Sequence, residues 1–279
     1  MVLIKFIIST IKASIFDAIS LDDGASIGKA NISKKGLATS IYGIIFLAVM
    51  LASCSQGEYQ RQLVDGHPVY SAELVKFAER GDTAAQCDLG ECYVKGFGVA
   101  VDYSLAESWF LKAAEQGSPR GQYDLGSCYE YVEHNPTEAF RWYRKAAEQG
   151  DAWGQYQLFV CYDKGIGVGY NPTEAIRWLR KAAEQGHAIA QFNMGGRYAN
   201  GDGVEEDYTV AANWFRKSAE QGFAKAQLVL GEFYMRGYGV DKDYSESERW
   251  LRKAAEQGEA RATEELRDLQ ILQQSNDNL

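Results

Sequence analysis

The chain has little of what metal or nucleophile chemistry requires. Only three of its 279 residues are histidine. His67, His134 and His187 share no common place in the pattern set out below, and none has a cysteine at ligand spacing, so no metal site is expected. Gly24-Ala25-Ser26-Ile27-Gly28 matches a nucleophile-elbow string, and Ser26-Ile27-Gly28-Lys29 and Ser9-Thr10-Ile11-Lys12 match Ser-x-x-Lys. No strand-turn-helix pattern or Lys-Thr-Gly accompanies them, so these are read as coincidences and neither an enzyme nor a cofactor is expected. Basic residues are in deficit: 29 Lys and Arg stand against 38 Asp and Glu, a net charge of -9, which argues against a nucleic-acid partner. The apolar run from Leu37 to Ala52 is sixteen residues long, short of the roughly 20 needed to span a bilayer.

What the chain has in abundance is repetition. Ala-Ala-Glu-Gln-Gly occurs at 113–117, 146–150 and 182–186, with close copies at 218–222 and 254–258. With Gly81, the closing glycines lie 36, 33, 36, 36 and 36 residues apart. A period in this range signals a helical solenoid, whose units bury their apolar faces only against their neighbours. Counting from each closing glycine, position five is always Gln (86, 122, 155, 191, 227), position twelve always Tyr (93, 129, 162, 198, 234), and position eight Leu or Met. These positions share one helical face, which predicts a first helix, A, from just after the glycine to the tyrosine. Positions four and nine are mostly Ala or Gly, small enough to let a second helix approach closely.

A Gly-x-Gly-Val loop follows at Gly96, Gly165, Gly201 and Gly237, and its absence from the second unit accounts for the shorter spacing. Helix B is predicted to start on Asp102, Asn135, Asn171, Asp207 or Asp243 as N-caps, with Pro136 and Pro172 at the first helical position. Glu138, Glu174 and Glu246 complete box-like caps. Trp109, Trp142, Trp178, Trp214 and Trp250 serve as the large anchors of the B helices, which end at the closing glycines. The basic pairs from Arg144-Lys145 to Arg252-Lys253 lie near the C-terminal ends of these helices, where cations suit the dipole.

The pattern A-x-x-x-L-G-x-x-Y-x-x-G-x-G-V-x-x-D, then A-x-x-W, then K-A-A-x-x-G resembles the Sel-one-like repeat family, a relative of the tetratricopeptide repeat, over residues 82–258. The resemblance implies an all-α fold: a right-handed superhelical solenoid of antiparallel helix pairs, five repeats with capping helices at 72–81 and 259–269, acting as a protein-binding scaffold or adaptor. The sequence departs from the family pattern in the short second loop and at Phe159, which replaces the glycine of position nine, so irregularity is expected between 128 and 165. Some cysteine-rich relatives carry a disulfide in each repeat, a spacing absent here. Cys92, Cys128 and Cys161 recur at position eleven of successive units, and helices about 8 to 10 Å apart hold such residues beyond disulfide reach. Cys87 and Cys92, roughly 8 to 9 Å apart on one helix, are also too distant. Buried, unpaired thiols are expected.

Lys34-Lys35, the apolar run and Leu51-Ala52-Ser53-Cys54 together resemble a bacterial lipoprotein signal, with Cys54 lipidated and residues 1–53 removed. That removal takes away five Lys and three Asp, leaving -11. Ser55 after the cysteine implies outer-membrane sorting, with the protein facing the periplasm. Residues 1–33 are long for a signal n-region, and their role is open. Residues 54–71 are expected to be a tether and 270–279 a flexible tail.

Positions three, seven, ten and fourteen of helix A drift from repeat to repeat, and an interaction groove would use them. Arg120, Asp124, Trp153, Gln157, Val160, Ile189, Asn193 and Val229 are the candidate partner-binding residues, with Trp153 and Ile189 expected side by side facing solvent. The expected function is a membrane-tethered scaffold for another protein. An immunity-type inhibitor of a secreted toxin, a beta-lactam-binding or hydrolysing protein, and a cytoplasmic adaptor remain alternatives.

Overall fold

The computed structural model describes residues 59–277, so the proposed signal segment, Cys54 and the last two residues lie outside it. Within these residues a hairpin of β1 (Leu63–Val64) and β2 (His67–Pro68) precedes twelve helices. The first is α1 (Ala72–Glu79). The A helices are α2 (Thr83–Lys95), α4 (Pro119–Tyr131), α6 (Ala152–Lys164), α8 (Ala188–Asn200) and α10 (Ala224–Arg236). The B helices between and after them are α3 (Tyr103–Glu115), α5 (Pro136–Glu148), α7 (Pro172–Glu184), α9 (Tyr208–Glu220) and α11 (Tyr244–Glu256), and α12 (Ala260–Asp277) closes the array. This is an all-α solenoid. All ten A and B helices are 13 residues long, including those around the short second loop, so the irregularity expected there does not alter the helices.

The five B-helix N-caps are those expected, each accepting a hydrogen bond from a first-turn amide. The reciprocal half of the capping box is not formed. The N-cap amide goes instead to the carbonyl of the position-twelve tyrosine, as in Asn135 to Tyr129 at 2.8 Å and Asp207 to Tyr198 at 2.9 Å. Glu138, Glu174 and Glu246 pair with Arg141, Arg177 and Arg249 instead. Tying the start of B to the end of A holds the loop shut independently of its length, which lets the short second loop keep the pairing.

The small positions serve two different neighbours. A Cβ on Gly121 or Gly154, at position four, would lie 2.6 Å or 2.9 Å from Ala113 or Ala146 of the preceding B helix. One on Gly90, Gly126, Gly195 or Gly231, at position nine, would run into Phe110, Tyr143, Phe215 or Leu251 of the repeat's own B helix. Those residues, with Leu179, are the buried anchors, at 0–4% exposure. Each lies one residue after the tryptophan expected in that role. Trp178 and Trp250 are also buried, but Trp109, Trp142 and Trp214 are only partly covered. The lysine three residues on explains the tryptophan position: Lys112 and Lys145 each lie 3.6 Å from the ring centre of Trp109 and Trp142, and Lys181, Lys217 and Lys253 cover the other three rings. Phe159 is buried within the third repeat's core, in the same cluster as Leu179.

Glutamine at position five links three elements. Gln155 Nε2 donates to the Ala147 carbonyl at the end of α5, and its Oε1 accepts from Gln185 Nε2 at 2.6 Å. The same pair of bonds recurs at Gln86, Gln122, Gln191 and Gln227, which gives the invariant glutamine of Ala-Ala-Glu-Gln-Gly its role. Each adds a second hydrogen bond to a last-turn carbonyl that also accepts from the closing glycine amide, and so ties that helix end to the next repeat.

Two end segments differ from expectation. The stretch read as a tether is docked from Tyr59 onward: Tyr59 packs on Phe77, His67 stacks on Phe97 at 4.4 Å, and Tyr70 meets Tyr93 edge-on. Asp65 and Gly66 both have positive φ at the two-residue hairpin turn, the combination that Asp-Gly supplies. The final helix continues to Asp277, through most of the segment expected to fray. Cys87, Cys92, Cys128 and Cys161 are buried and free; burial pushes the thiols of Cys87, Cys128 and Cys161 up to about 12 and that of Cys92 to about 11.

Candidate protein-binding cleft

The A helices turn their drifting positions onto one face, and neighbouring repeats meet there in a fixed register. Position three of one repeat reaches position ten of the one before: Arg120 pairs with Glu91 at 2.8 Å, and Arg261 with Glu232 at 3.0 Å. In the middle of the array Val160 fills position ten and Ile189 the following position three. Ile189 is half-buried, so it does not face open solvent beside Trp153 as expected. The register gives the reason, since position three belongs partly to the seam between repeats.

Trp153 is 50% exposed, with its indole packed edge-on against His187 at 4.3 Å and near Tyr123 at 6.1 Å. His187 caps α8 by accepting from the Ala190 amide with Nδ1, and its ring stacks on Tyr156 at 4.9 Å. Its Nε2 is buried without a partner, and burial holds its pKa below the usual histidine value. The tryptophan is thus braced on one side by fixed rings and open on the other.

Its open side faces a cleft of about 1040 Å³ formed by α2, α3, α4 and the start of α6, with Arg61 entering at the edge. Arg120, Asp124 and Trp153, three of the candidates, line it together. Val160 and Asn193 line a second, smaller depression of about 410 Å³ with Tyr156, Asp163 and Arg197. There Asn193 donates to the Tyr156 hydroxyl at 3.2 Å and Arg197 pairs with Asp163. Gln157 and Val229 are half-buried and line neither depression.

Sequence reasoning missed Tyr103, Tyr131 and Val132, which line the larger cleft and are 49%, 66% and 37% exposed. The signal was available for two of them: Tyr131 is position fourteen of the drifting stripe, where the other repeats have Lys95, Lys164, Asn200 and Arg236, and Val132 stands where they place the first glycine of Gly-x-Gly-Val. Arg61 was missed because a residue before the first repeat has no periodic position. Asp88, fully buried, holds the two arginines of the cleft: it accepts from Tyr59 Oη at 2.7 Å, Arg61 Nε at 2.9 Å and Arg120 Nη1 at 2.6 Å. Asp124 is less well served: its Oδ2 has no hydrogen-bond partner, Arg120 Nε lies 3.6 Å away, and burial pushes its carboxyl up to about 7.

Paired antiparallel helices stacked in register, with an aromatic cleft on one face, define a helical-repeat binding solenoid. The chain belongs to the Sel1 repeat family, whose model matches residues 83–118, 119–151, 154–187, 188–223 and 224–259. Proteins of this family are helical scaffolds that generally mediate protein–protein interaction and are generally non-enzymatic. The chain is similar to c5321, a protective antigen present in uropathogenic Escherichia coli strains displaying an SLR fold. Identity is 39% and the TM-score 0.63, over 69% of this chain and 42% of that one. It therefore spans less than half the length of that relative. It is also similar to a Sel1 repeat protein from Oxalobacter formigenes, at 36% identity and TM-score 0.59, over 67% of this chain and 76% of that one. A search of curated proteins finds no match.

Proposed function

We propose that the protein is a lipid-anchored scaffold of the bacterial cell envelope that holds another protein in the cleft around Trp153. The observation that carries this reading is the cleft itself, where an exposed indole and tyrosine stand over a bed of paired charges. Large aromatic side chains held rigid at the rim of a concavity lose little entropy on binding and dominate interface energies. The anchor rests on Leu51-Ala52-Ser53-Cys54 with its basic and apolar lead-in. Among the described residues no helix is long and apolar enough to cross a membrane, so attachment on this reading depends on Cys54.

Two results are expected. Trp153→Ala weakens capture of the partner from detergent-solubilised envelopes by about tenfold or more, the factor that ~1.4 kcal/mol of lost interface energy produces. The melting temperature stays nearly unchanged; a variant that melts early would make Trp153 a packing residue and remove the binding role. Independently, Cys54→Ala abolishes incorporation of radioactive palmitate and moves the protein out of the membrane fraction, whereas undiminished labelling would refute the anchor.

A further inference from the structure

Four carboxylates lie in or beside the cleft, Glu91 and Asp124 in its lining and Asp88 and Asp151 next to it, and their needs are unequally met. Asp88 has three donors and Glu91 is bonded by both Arg61 and Arg120. Asp151 is occupied in capping the Gly154 amide at 2.6 Å. Asp124 alone of the four has a buried oxygen without a hydrogen bond. Arg120, its nearest cation, has directed Nη1 to Asp88 and Nη2 to Glu91. Among the residues that line the cleft, Arg61, Lys95 and Arg120 stand beside Glu91 and Asp124, and with Arg120 committed to Asp88 and Glu91 what Asp124 lacks is a hydrogen-bond donor. An under-bonded carboxylate in a partly dry site is costly until a donor reaches it.

The surroundings of Asp124 suit one kind of donor. Tyr123, Tyr131 and Trp153 line the same cleft, and Tyr131 and Trp153 are open to solvent. Aromatic faces attract a cation, and a guanidinium can stack on a ring while donating two hydrogen bonds to a carboxylate, which an ammonium cannot do. The chain also displays the mode of entry. Arg61 belongs to no repeat; it comes in from the segment before the hairpin and lays its guanidinium on Asp88 and Glu91 beside Tyr59.

We propose that the Asp124 end of the cleft takes an arginine side chain from the partner protein, its guanidinium bonded to the Asp124 carboxylate and stacked between Tyr131 and Trp153. This deepens, and rests on, the reading of the cleft as the binding site. Arg61 occupies the neighbouring place from within the chain, so the partner supplies the next cation along the cleft.

The test uses the full chain in detergent and two probes, acetyl-Gly-Arg-Gly-amide and its citrulline counterpart, which keeps the shape and removes the charge. The indole N–H resonance of Trp153, identified by its loss in Trp153→Phe, reports occupancy. The arginine probe shifts it saturably, and the citrulline probe binds about tenfold more weakly, a difference of ~1.4 kcal/mol. Asp124→Asn removes this discrimination without lowering the melting temperature. Should that variant fail to fold, Tyr131→Ala, at a side chain 66% exposed, weakens the arginine probe severalfold while the fold is kept. Absence of a saturable shift, equal binding of the two probes, or full discrimination in the folded variant would each overturn the proposal. Equal binding together with loss of partner capture in Trp153→Ala removes the arginine site and keeps the protein-binding cleft. Discrimination with capture unaffected does the reverse.

Discussion

Tyr143→Ala lowers the unfolding free energy by about 3–5 kcal/mol, the cost of emptying a core aromatic site, whereas Trp142→Ala, one residue earlier, costs about 1 kcal/mol. Tyr143 is 1% exposed, and its ring lies where a Cβ on Gly126 would come within 2.7 Å. Removing it opens a cavity between α4 and α5 that the backbone cannot close, because both helices are pinned to their neighbours by the glutamine bonds. Its hydroxyl also donates to Glu130 at 2.6 Å, so the carboxylate loses a donor. Trp142 is partly exposed beneath Lys145, and its loss uncovers surface without opening a void. Urea unfolding followed by circular dichroism separates the two, and equal costs would return the anchoring role to the tryptophan.

Gly167→Ala destabilises by about 3 kcal/mol or more, and Gly117→Ala by only about 1 kcal/mol, though both glycines have positive φ. At Gly167 φ is +69°, and a Cβ would lie 2.0 Å from the Pro136 carbonyl oxygen at the start of α5. At Gly117 φ is +85° with nothing within 4 Å. The left-handed conformation costs any other residue about the same at both places; the added cost at Gly167 comes from forcing the third repeat's loop off the second repeat's B helix. The urea midpoints of the two variants measure the difference, and equal midpoints would mean that the loop does not bear on the preceding repeat. Gly239 makes the same approach to Tyr208, 2.1 Å from its carbonyl, whereas a Cβ on Gly203 would meet only the Ile176 side chain, at 3.1 Å.

These two cases show where sequence reading succeeds and where it stops. The need for glycine at 167 and 117 is legible from the repeat, because the turn requires it locally. The difference between the two positions is not, since the carbonyl that crowds Gly167 is about thirty residues away in another repeat. The N-caps Asp102 to Asp243 were legible for the same local reason. The capping boxes were not completed, because the tyrosine carbonyl of the preceding helix reaches the N-cap amide before the glutamate can. Trp142 and Tyr143 are adjacent on one helix, and periodicity alone does not decide which of two neighbouring large rings points into the core. Phe110, Tyr143, Leu179, Phe215 and Leu251 differ in type, and only their common depth unites them.

The candidate site divides along the same line. Arg120, Asp124 and Trp153 were recognisable from their drifting positions and do share a cleft, while Ile189 at the same position as Trp153 is drawn into the seam between repeats. By itself the sequence determined the period, the helix pairs, their caps and the small residues between them, because each depends on contacts within a turn or two of helix or on a spacing repeated five times. Only the tertiary structure decided which rings are buried, where Arg61 and the hairpin dock, and which carboxylate is left short of a donor. Those outcomes depend on groups from different repeats meeting at distances of 2 to 4 Å, and stacking sets those distances.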